Sequence, residues 1–294
     1  MNSPPPQPSV PAAAAWMVGA LTLFTLLGIA SRELSYTIGV FQIMFFRYAF
    51  GFAMTAPVVF RHGLAGARTG SLKIQLLRNG SSFLGGIGWF YGITVLPLTL
   101  VFAIEFTAPM FVALMAVWWL GERLTPARIG ALVLGFLGVL VILRPGVEAI
   151  TPAVIGCLLG AIGIAGSHVG GKKLSGIDSP LVVVFYMNLI QLPMSAIPAL
   201  IFWKPIGWYE LFWGLVLGAT ASIGHICLTR AFRRADATVV VPMDFLRVPL
   251  IAVIAWAVYA EKIDLWVLAG AAIIFAGNYV AMRSERKATT EPNR

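Results

Sequence analysis

The chain is poor in the residues on which most protein chemistry depends. Charged residues fill 11% of its 294 positions, and there are only 2 cysteines and 3 histidines. Cys157 and Cys227 both fall in apolar runs without metal-ligand spacing, so they read as small core residues rather than as a zinc site or a disulfide. His62, His168 and His225 are dispersed, and neither His-x-x-x-His nor His-Glu-x-x-His occurs. Gly-x-Ser-x-Gly, a clustered aspartate pair and a Walker motif are also missing. These absences argue against an intramembrane enzyme and against direct use of ATP, and no cofactor or metal is expected. The stretch Met1 to Pro11 carries no charge, so it lacks the basic region of a cleaved leader and reads as a disordered tail.

What fills the chain instead is apolar. Hydrophobic residues make up 59% of it, and the mean hydropathy is +0.87. A water-soluble protein of this composition would expose large apolar patches. Ten apolar runs lie near 14–31, 36–60, 74–95, 98–120, 126–143, 151–170, 179–203, 208–230, 236–259 and 264–283. Each is close to the roughly 20 residues that cross a hydrocarbon core as a helix. Of the 21 Lys and Arg, Arg47 and Arg247 sit inside runs, and Arg32, Arg144, Lys204 and Lys262 fall in loops on one side. The other 15 lie in loops and tail on the opposite side. This asymmetry is the positive-inside rule, which puts both termini in the cytoplasm. The net charge of +9 then reports insertion and anionic lipid, not a nucleic-acid partner.

The runs repeat. Setting Glu122 on Glu261 aligns Gly85 with Gly224, Thr99 with Thr238, Phe106 with Phe245, Ala113 with Ala252, Gly138 with Gly277 and Arg144 with Arg283, without a gap. At the same offset of 139, Glu105 falls on Asp244, so each copy carries a carboxylate inside an apolar helix. Five spans per copy is an odd number, so the second copy enters the bilayer inverted. The expected fold is all-α and integral to the membrane: ten transmembrane helices as two inverted five-helix repeats, 12–144 and 151–283, with 284–294 as a polar cytoplasmic tail. Inverted repeats with polar groups at membrane depth mark secondary transporters. A channel is disfavoured because no run of backbone ligands resembles a filter.

The polar groups inside the spans are the candidate site. A charge in hydrocarbon costs roughly 2.5–3.5 kcal/mol on insertion scales, so it usually has a task. Pro109 lies four residues after Glu105 and crowds its carbonyl, which predicts a broken helix at that carboxylate. Glu105 and Asp244 are candidates for proton coupling as well as substrate binding, since a carboxylate in low dielectric takes up a proton more readily. Asp244 and Arg247 share one helical face, either as a permanent ion pair or as one that opens to a substrate, with Pro242 and Pro249 flanking them. Arg47 needs a carboxylate, for which Glu105 is one partner, or it serves as an anion clamp. His225 reads as a substrate ligand, a proton relay or a core histidine. Trp89 and Tyr91 flank Phe90 in an aromatic run, of which one or two members face a cavity. Asn188, Gln191 and Asn278 are further polar candidates, and Glu122 and Glu261 read as helix-end ion-pair or gate residues. Small residues in spans five and ten suit helix packing within the bundle or a homodimer contact.

The segment Gly92-Ile-Thr-Val-Leu-Pro97, running through Phe106-Thr-Ala-Pro109 to Leu120-Gly121-Glu122-Arg123, resembles the drug/metabolite transporter superfamily, in its EamA-domain branch. The stretch Gly138 to Gly146 continues the match. Ala231-Phe-Arg-Arg-Ala-Asp-Ala-Thr238 through Ala260-Glu261 is the second copy, and Phe46-Arg47-Tyr48 is similar to the family's span-two arginine. The resemblance implies a central cavity between the halves, alternating access and a bacterial inner-membrane location. It implies a small-molecule substrate such as riboflavin, S-adenosylmethionine, an amino acid or a related metabolite, or alternatively export of toxic compounds. Span one reads Leu26-Leu-Gly-Ile-Ala30 in place of the Asn-Asp pair of some relatives, so no coupling role for that pair carries over.

Overall fold

A computed structural model describes residues 9–61, 63–120, 126–144, 151–174, 177–232, 234 and 243–290. His62, Glu122, Arg123, Pro145 to Glu148, Arg233, Asp236, Thr238 and Pro242 lie outside the described residues. Among the described residues the elements are helices and there is no strand. The first copy contains α1 (Val10–Ser35), α2 (Val40–Phe60), α3 (Leu72–Val95), α4 (Leu98–Glu105), α5 (Ala108–Leu120) and α6 (Pro126–Leu143). The second contains α7 (Pro152–Leu174), α8 (Pro180–Ile201), α9 (Trp208–Phe232), α10 (Arg247–Tyr259) and α11 (Leu265–Thr290). Helix starts follow local chemistry. The hydroxyls of Ser9, Ser71 and Ser179 accept the amides of Ala12, Ile74 and Val182, and Pro11 and Pro180 stand in the first turns.

Among the described residues, five helices are long and apolar enough to cross a bilayer: α1, α2, α7, α8 and α9. The remaining apolar helices are shorter or interrupted. The fourth run breaks at Phe106–Thr107, three and two residues before Pro109, whose ring crowds the carbonyl of Glu105, and Glu105 closes α4. In the second copy a helical turn at 243–245 stops at Leu246 before α10. Leu246 is the repeat mate of Thr107, so the two copies break at matching positions. Helix α3 is less apolar because Lys73, Gln75, Arg78, Asn79 and Ser81 crowd its first half. Helix α11 continues to Thr290, past the expected end of the last run at 283.

The packing obeys the repeat. Helix α3 lies along α7, and the mate of that pair, α9 along α1, is also closely packed. Helices α2 and α8, and α6 and α11, are mates that touch each other, and α4 packs against α10, the mate of α5. The phenyl rings of the mates Phe106 and Phe245 meet edge-on, 5.4 Å between centres. Helices α6 and α11 approach through Gly138 and Gly270. A Cβ on either glycine would come 2.7 Å or 2.6 Å from the other's carbonyl oxygen. These small residues of spans five and ten therefore serve a contact inside the chain.

Apolar side chains cover the outside, among them Leu84, Leu159, Leu200 and Val253. Trp203, Trp208, Trp266, Tyr36 and Tyr209 are exposed at the end of the bundle where α1 finishes, as in the aromatic belts of membrane proteins. We call this the Arg32 end, and the opposite one, where α3 and α8 begin, the Asp178 end.

Candidate functional site

Arg247, the first residue of α10, joins the two copies. Its Nη2 donates to Glu105 Oε1 at 3.2 Å and to Asp244 Oδ2 at 3.3 Å. The repeat-related carboxylates thus share one guanidinium. Its plane is enclosed by Phe24 of α1, Phe102 of α4 and Phe106 at the break, with ring centres 5.2–5.3 Å away. Cation–π contact of this kind is worth about 0.5–2 kcal/mol per ring. The other oxygen of Glu105 accepts the indole N–H of Trp89 at 2.9 Å. Asp244 Oδ1 is buried without a hydrogen-bond partner. Glu105 keeps 18% and Asp244 21% of the side-chain surface accessible, whereas Val101 to Ile104 beside them are buried. Both carboxylates therefore keep accessible surface beside an otherwise buried stretch of α4.

Arg47 does not pair with Glu105, contrary to the expectation from sequence. Its guanidinium carbon lies 5.4 Å from the Tyr48 ring and 5.6 Å from the Phe90 ring, and Glu105 is already taken by Arg247 and Trp89. Among the described residues no carboxylate lies within ion-pair distance of Arg47, and its Nε is buried without a partner. Tyr91 does not join the site either: it is 41% exposed and packs over Gly156 of α7. Two residues on a helix point about 200° apart, so Trp89 facing Glu105 turns Tyr91 outward. His225 sets its Nδ1 2.7 Å from the Ala221 carbonyl and meets Phe24 edge to face at 5.1 Å, which brings it beside the Arg247 cage.

A hydrogen-bonded file runs from this centre to the Asp178 end. Tyr48 Oη donates to Gln191 Oε1 at 2.7 Å, and Gln191 Nε2 to Asn79 Oδ1 at 3.3 Å. Asn79 Nδ2 reaches Gln75 Oε1 at 3.4 Å, and Gln75 Nε2 reaches Asp178 Oδ2 at 2.9 Å. Asp178 also accepts from Thr69 Oγ1 and from Gly70 N. At the Arg32 end, Glu261 pairs with Arg32 at 3.2 Å and accepts the Leu98 amide at 2.9 Å. Arg32 also donates to the Leu96 carbonyl. Glu33 accepts from Tyr259 at 2.7 Å and from Tyr209 at 2.5 Å. A concavity of about 670 Å³ opens on the surface beside Glu261 and Trp256, away from the Arg247 cluster. Among the described residues no three His, Cys, Asp or Glu side chains gather as a metal site.

The family model for EamA-like transporters matches the chain twice, over residues 11–144 and 151–283. The chain belongs to the EamA-like transporter family. This transporter is 30% identical to an S-adenosylmethionine uptake transporter of Rickettsia felis over 273 residues, 93% of each chain. It is 32% identical to a riboflavin transporter of Rhizobium johnstonii, over 95% of this chain and 93% of that protein. A pseudopaline exporter of Pseudomonas aeruginosa is 30% identical, over 90% of this chain and 93% of the exporter. A solved crystal structure superposes with a TM-score of 0.67 over 95% of this chain and 99% of that one, at 18% identity, which bears on the fold alone.

Sequence reasoning missed three features of the transporter: the Trp89–Glu105 bond, the phenylalanine cage of Arg247, and the amides of Gln75 and Asn79. The repeat alignment carried a signal for the last, because it sets Gln75 and Asn79 against Gly214 and Gly218.

Proposed function

We propose that the protein is a secondary carrier of a small polar organic metabolite, of the kind named for its uptake relatives. It works by alternating access across ten spans of the inner membrane with both termini in the cytoplasm. The observation that carries this reading is Arg247, held between Glu105 and Asp244 at the two matched helix breaks. A charge set that belongs to both copies changes its surroundings when one copy tilts against the other, which links binding to the exposed side. Arg47, Trp89, Glu105, His225, Asp244 and Arg247 contact the solute or order those that do. Glu105 and Asp244 carry the coupling proton, because a carboxylate released by Arg247 in a dry site gains a proton readily.

The test is counterflow of labelled S-adenosylmethionine or riboflavin in proteoliposomes. The wild type exchanges one of them faster than it takes it up, which a channel does not. Arg247→Ala abolishes exchange while the protein remains inserted at wild-type yield, and Glu105→Gln removes the response to an imposed pH gradient. Exchange that continues unchanged in both variants sinks the reading; loss of Arg247→Ala from the membrane would make the ion pair structural.

A further inference from the structure

Two helices change in the same way along their inner faces. On α2, Ile43, Arg47, Met54 and Val58 lie within about 60° of one another around the axis, and this face turns Arg47 toward the Phe90 ring of α3. Ile43 is 0% exposed, Met54 37% and Val58 42%. On α7, Cys157, Ala161 and His168 share a face by the same spacing, and it is the face that sets Cys157 Sγ 3.7 Å from the Gly88 carbonyl of α3, next to Trp89. Cys157 and Ala161 are buried, whereas His168 is exposed. Ile155 and Leu159, the exposed apolar residues of α7, lie on the other side of that helix, so His168 does not face the lipid they face. Both helices run from the Arg32 end to the Asp178 end. In both, the inner face is packed shut in the first half and open in the second, over about 16 Å.

The Arg32 end is tied across the two copies by consecutive residues in the last turn of α1. Arg32 pairs with Glu261 at 3.2 Å and donates to the Leu96 carbonyl. Glu33 receives the hydroxyls of Tyr259 at 2.7 Å and Tyr209 at 2.5 Å, one on each carboxylate oxygen. Leu96 belongs to the first copy, and Tyr209, Tyr259 and Glu261 to the second. Arg144 pairs with Asp264 at 2.7 Å on the same end and joins α6 to the start of α11. We propose that the structure is the carrier's state with a vestibule open at the Asp178 end, in which Met54 and His168 stand in water, and that Arg32 and Glu33 form the gate that shuts the other end. This rests on the carrier reading above and adds which end is shut and which residues shut it. Both gate residues stand in one helical turn, so a single tilt of α1 away from α9 and α10 breaks every tie they make. Release then wets the inner face of α2 at Ile43 and covers His168, as alternating access requires.

Cysteine accessibility in the full chain provides the test. Ile43→Cys, Met54→Cys and His168→Cys are made singly, reconstituted in lipid nanodiscs and treated with a charged methanethiosulfonate. That reagent attacks thiolates in water, so a cysteine in lipid stays silent. The native Cys157 and Cys227 are both buried, and the chain without an added cysteine gives the background. Met54→Cys and His168→Cys react tenfold or more faster than Ile43→Cys. Adding Glu33→Ala to each brings the rates together, raising that of Ile43→Cys and lowering that of His168→Cys. The pair Tyr209→Phe and Tyr259→Phe does the same with Glu33 kept, which covers the case in which Glu33→Ala does not fold. Equal rates at Ile43→Cys and Met54→Cys, or a silent His168→Cys, overturn the one-sided vestibule. Rates that neither gate variant changes overturn the gate. Labelling needs no solute, so it is separate from counterflow: exchange with the wrong labelling pattern overturns this inference and leaves the carrier, and the right pattern without exchange of either metabolite overturns the carrier and leaves the vestibule.

Discussion

The seam between α3 and α8 and its mate between α9 and α2 occupy equivalent places in the two copies, but their chemistry is opposite. In the first, Gln75 and Asn79 join Gln191, Tyr48 and Asp178 in a file of hydrogen bonds. In the second, the mates are Gly214 and Gly218, which let Phe46 and Phe50 of α2 come against the backbone of α9. Duplication therefore set the course of the helices and left polarity free to diverge. A file of buried amides holds one register, because each shift strands a donor or acceptor at a cost of about 1–3 kcal/mol. A glycine–phenyl seam has no such register and slides with only dispersion at stake. By this argument the Asp178 end is the stiffer side of the bundle, and the Arg32 end is the side on which helices shift past each other at lower cost.

The largest effect is expected where the apolar seam is tightest. A Cβ at Gly218 would lie 3.0 Å from Gly51 N, 3.2 Å from Arg47 O and 2.5 Å from Phe50 Cβ. Backbone atoms cannot yield as a side-chain tip can, so Gly218→Val forces α9 away from α2. Overpacking of this sort costs about 1–3 kcal/mol, a fall in Tm of roughly 2–10 °C for a chain of this size, together with loss of exchange. Thermal unfolding in detergent measures the first and counterflow the second. A variant that exchanges normally would mean that the seam is loose and would remove the basis of the comparison.

A smaller effect is expected from breaking the polar seam. Gln191→Leu strands the hydroxyl of Tyr48 and a lone pair of Asn79, and Tyr48→Phe removes the hydroxyl alone. Side-chain hydrogen bonds in bilayers average about 0.6 kcal/mol and reach about 1.7, so each variant loses roughly 1 kcal/mol. A double-mutant cycle separates the shared bond from the rest, since the pair of changes together costs less than their sum when the bond is real. Full additivity would show that the file contributes nothing to register.

What was legible in the sequence follows from how each feature is encoded. The break in the fourth run was legible at Pro109, and a distortion of the ninth at Pro242 and Pro249, because proline acts on its own backbone wherever it stands. Glu105, Asp244 and Arg247 were legible as buried charges with a task, and their meeting at one place follows from the inverted repeat. The partner of Glu105 was not legible: Arg47 and Arg247 are equally apolar-flanked in sequence, and the choice depends on the rotation of α2 and α10, which packing decides. The outward turn of Tyr91 has the same origin. The polar seam went unread because Gln75 and Asn79 stand near a helix start, where polar residues are ordinary, and only their alignment with Gly214 and Gly218 in the repeat marks them out.

The smallest effect is expected at the loop that closes the sliding side. Glu261 holds Arg32 and the Leu98 amide, the first free N–H of α4, and so ties α1, α4 and the end of α10 together. Burial pushes the Glu261 carboxyl above its ordinary value, although Arg32 and the Leu98 amide pull it back. The sign follows from comparing closed with open. The open, wetter state has the ordinary pKa, near 4.3, and the closed state has the raised one, so the closed state binds the proton more tightly. Falling pH through that interval favours the closed loop, and rising pH favours opening. Glu261→Gln imitates the protonated form, keeps an acceptor for Leu98, and fixes the loop closed at every pH. The distance between spin labels at Tyr36→Cys and Lys262→Cys reads this directly: in the wild type the short-distance population grows on acidification, and in the glutamine variant it does not change. Opening on acidification would mean that the Arg32 pair, not desolvation, governs the carboxyl, and the loop would then belong with the fixed end instead of the moving one.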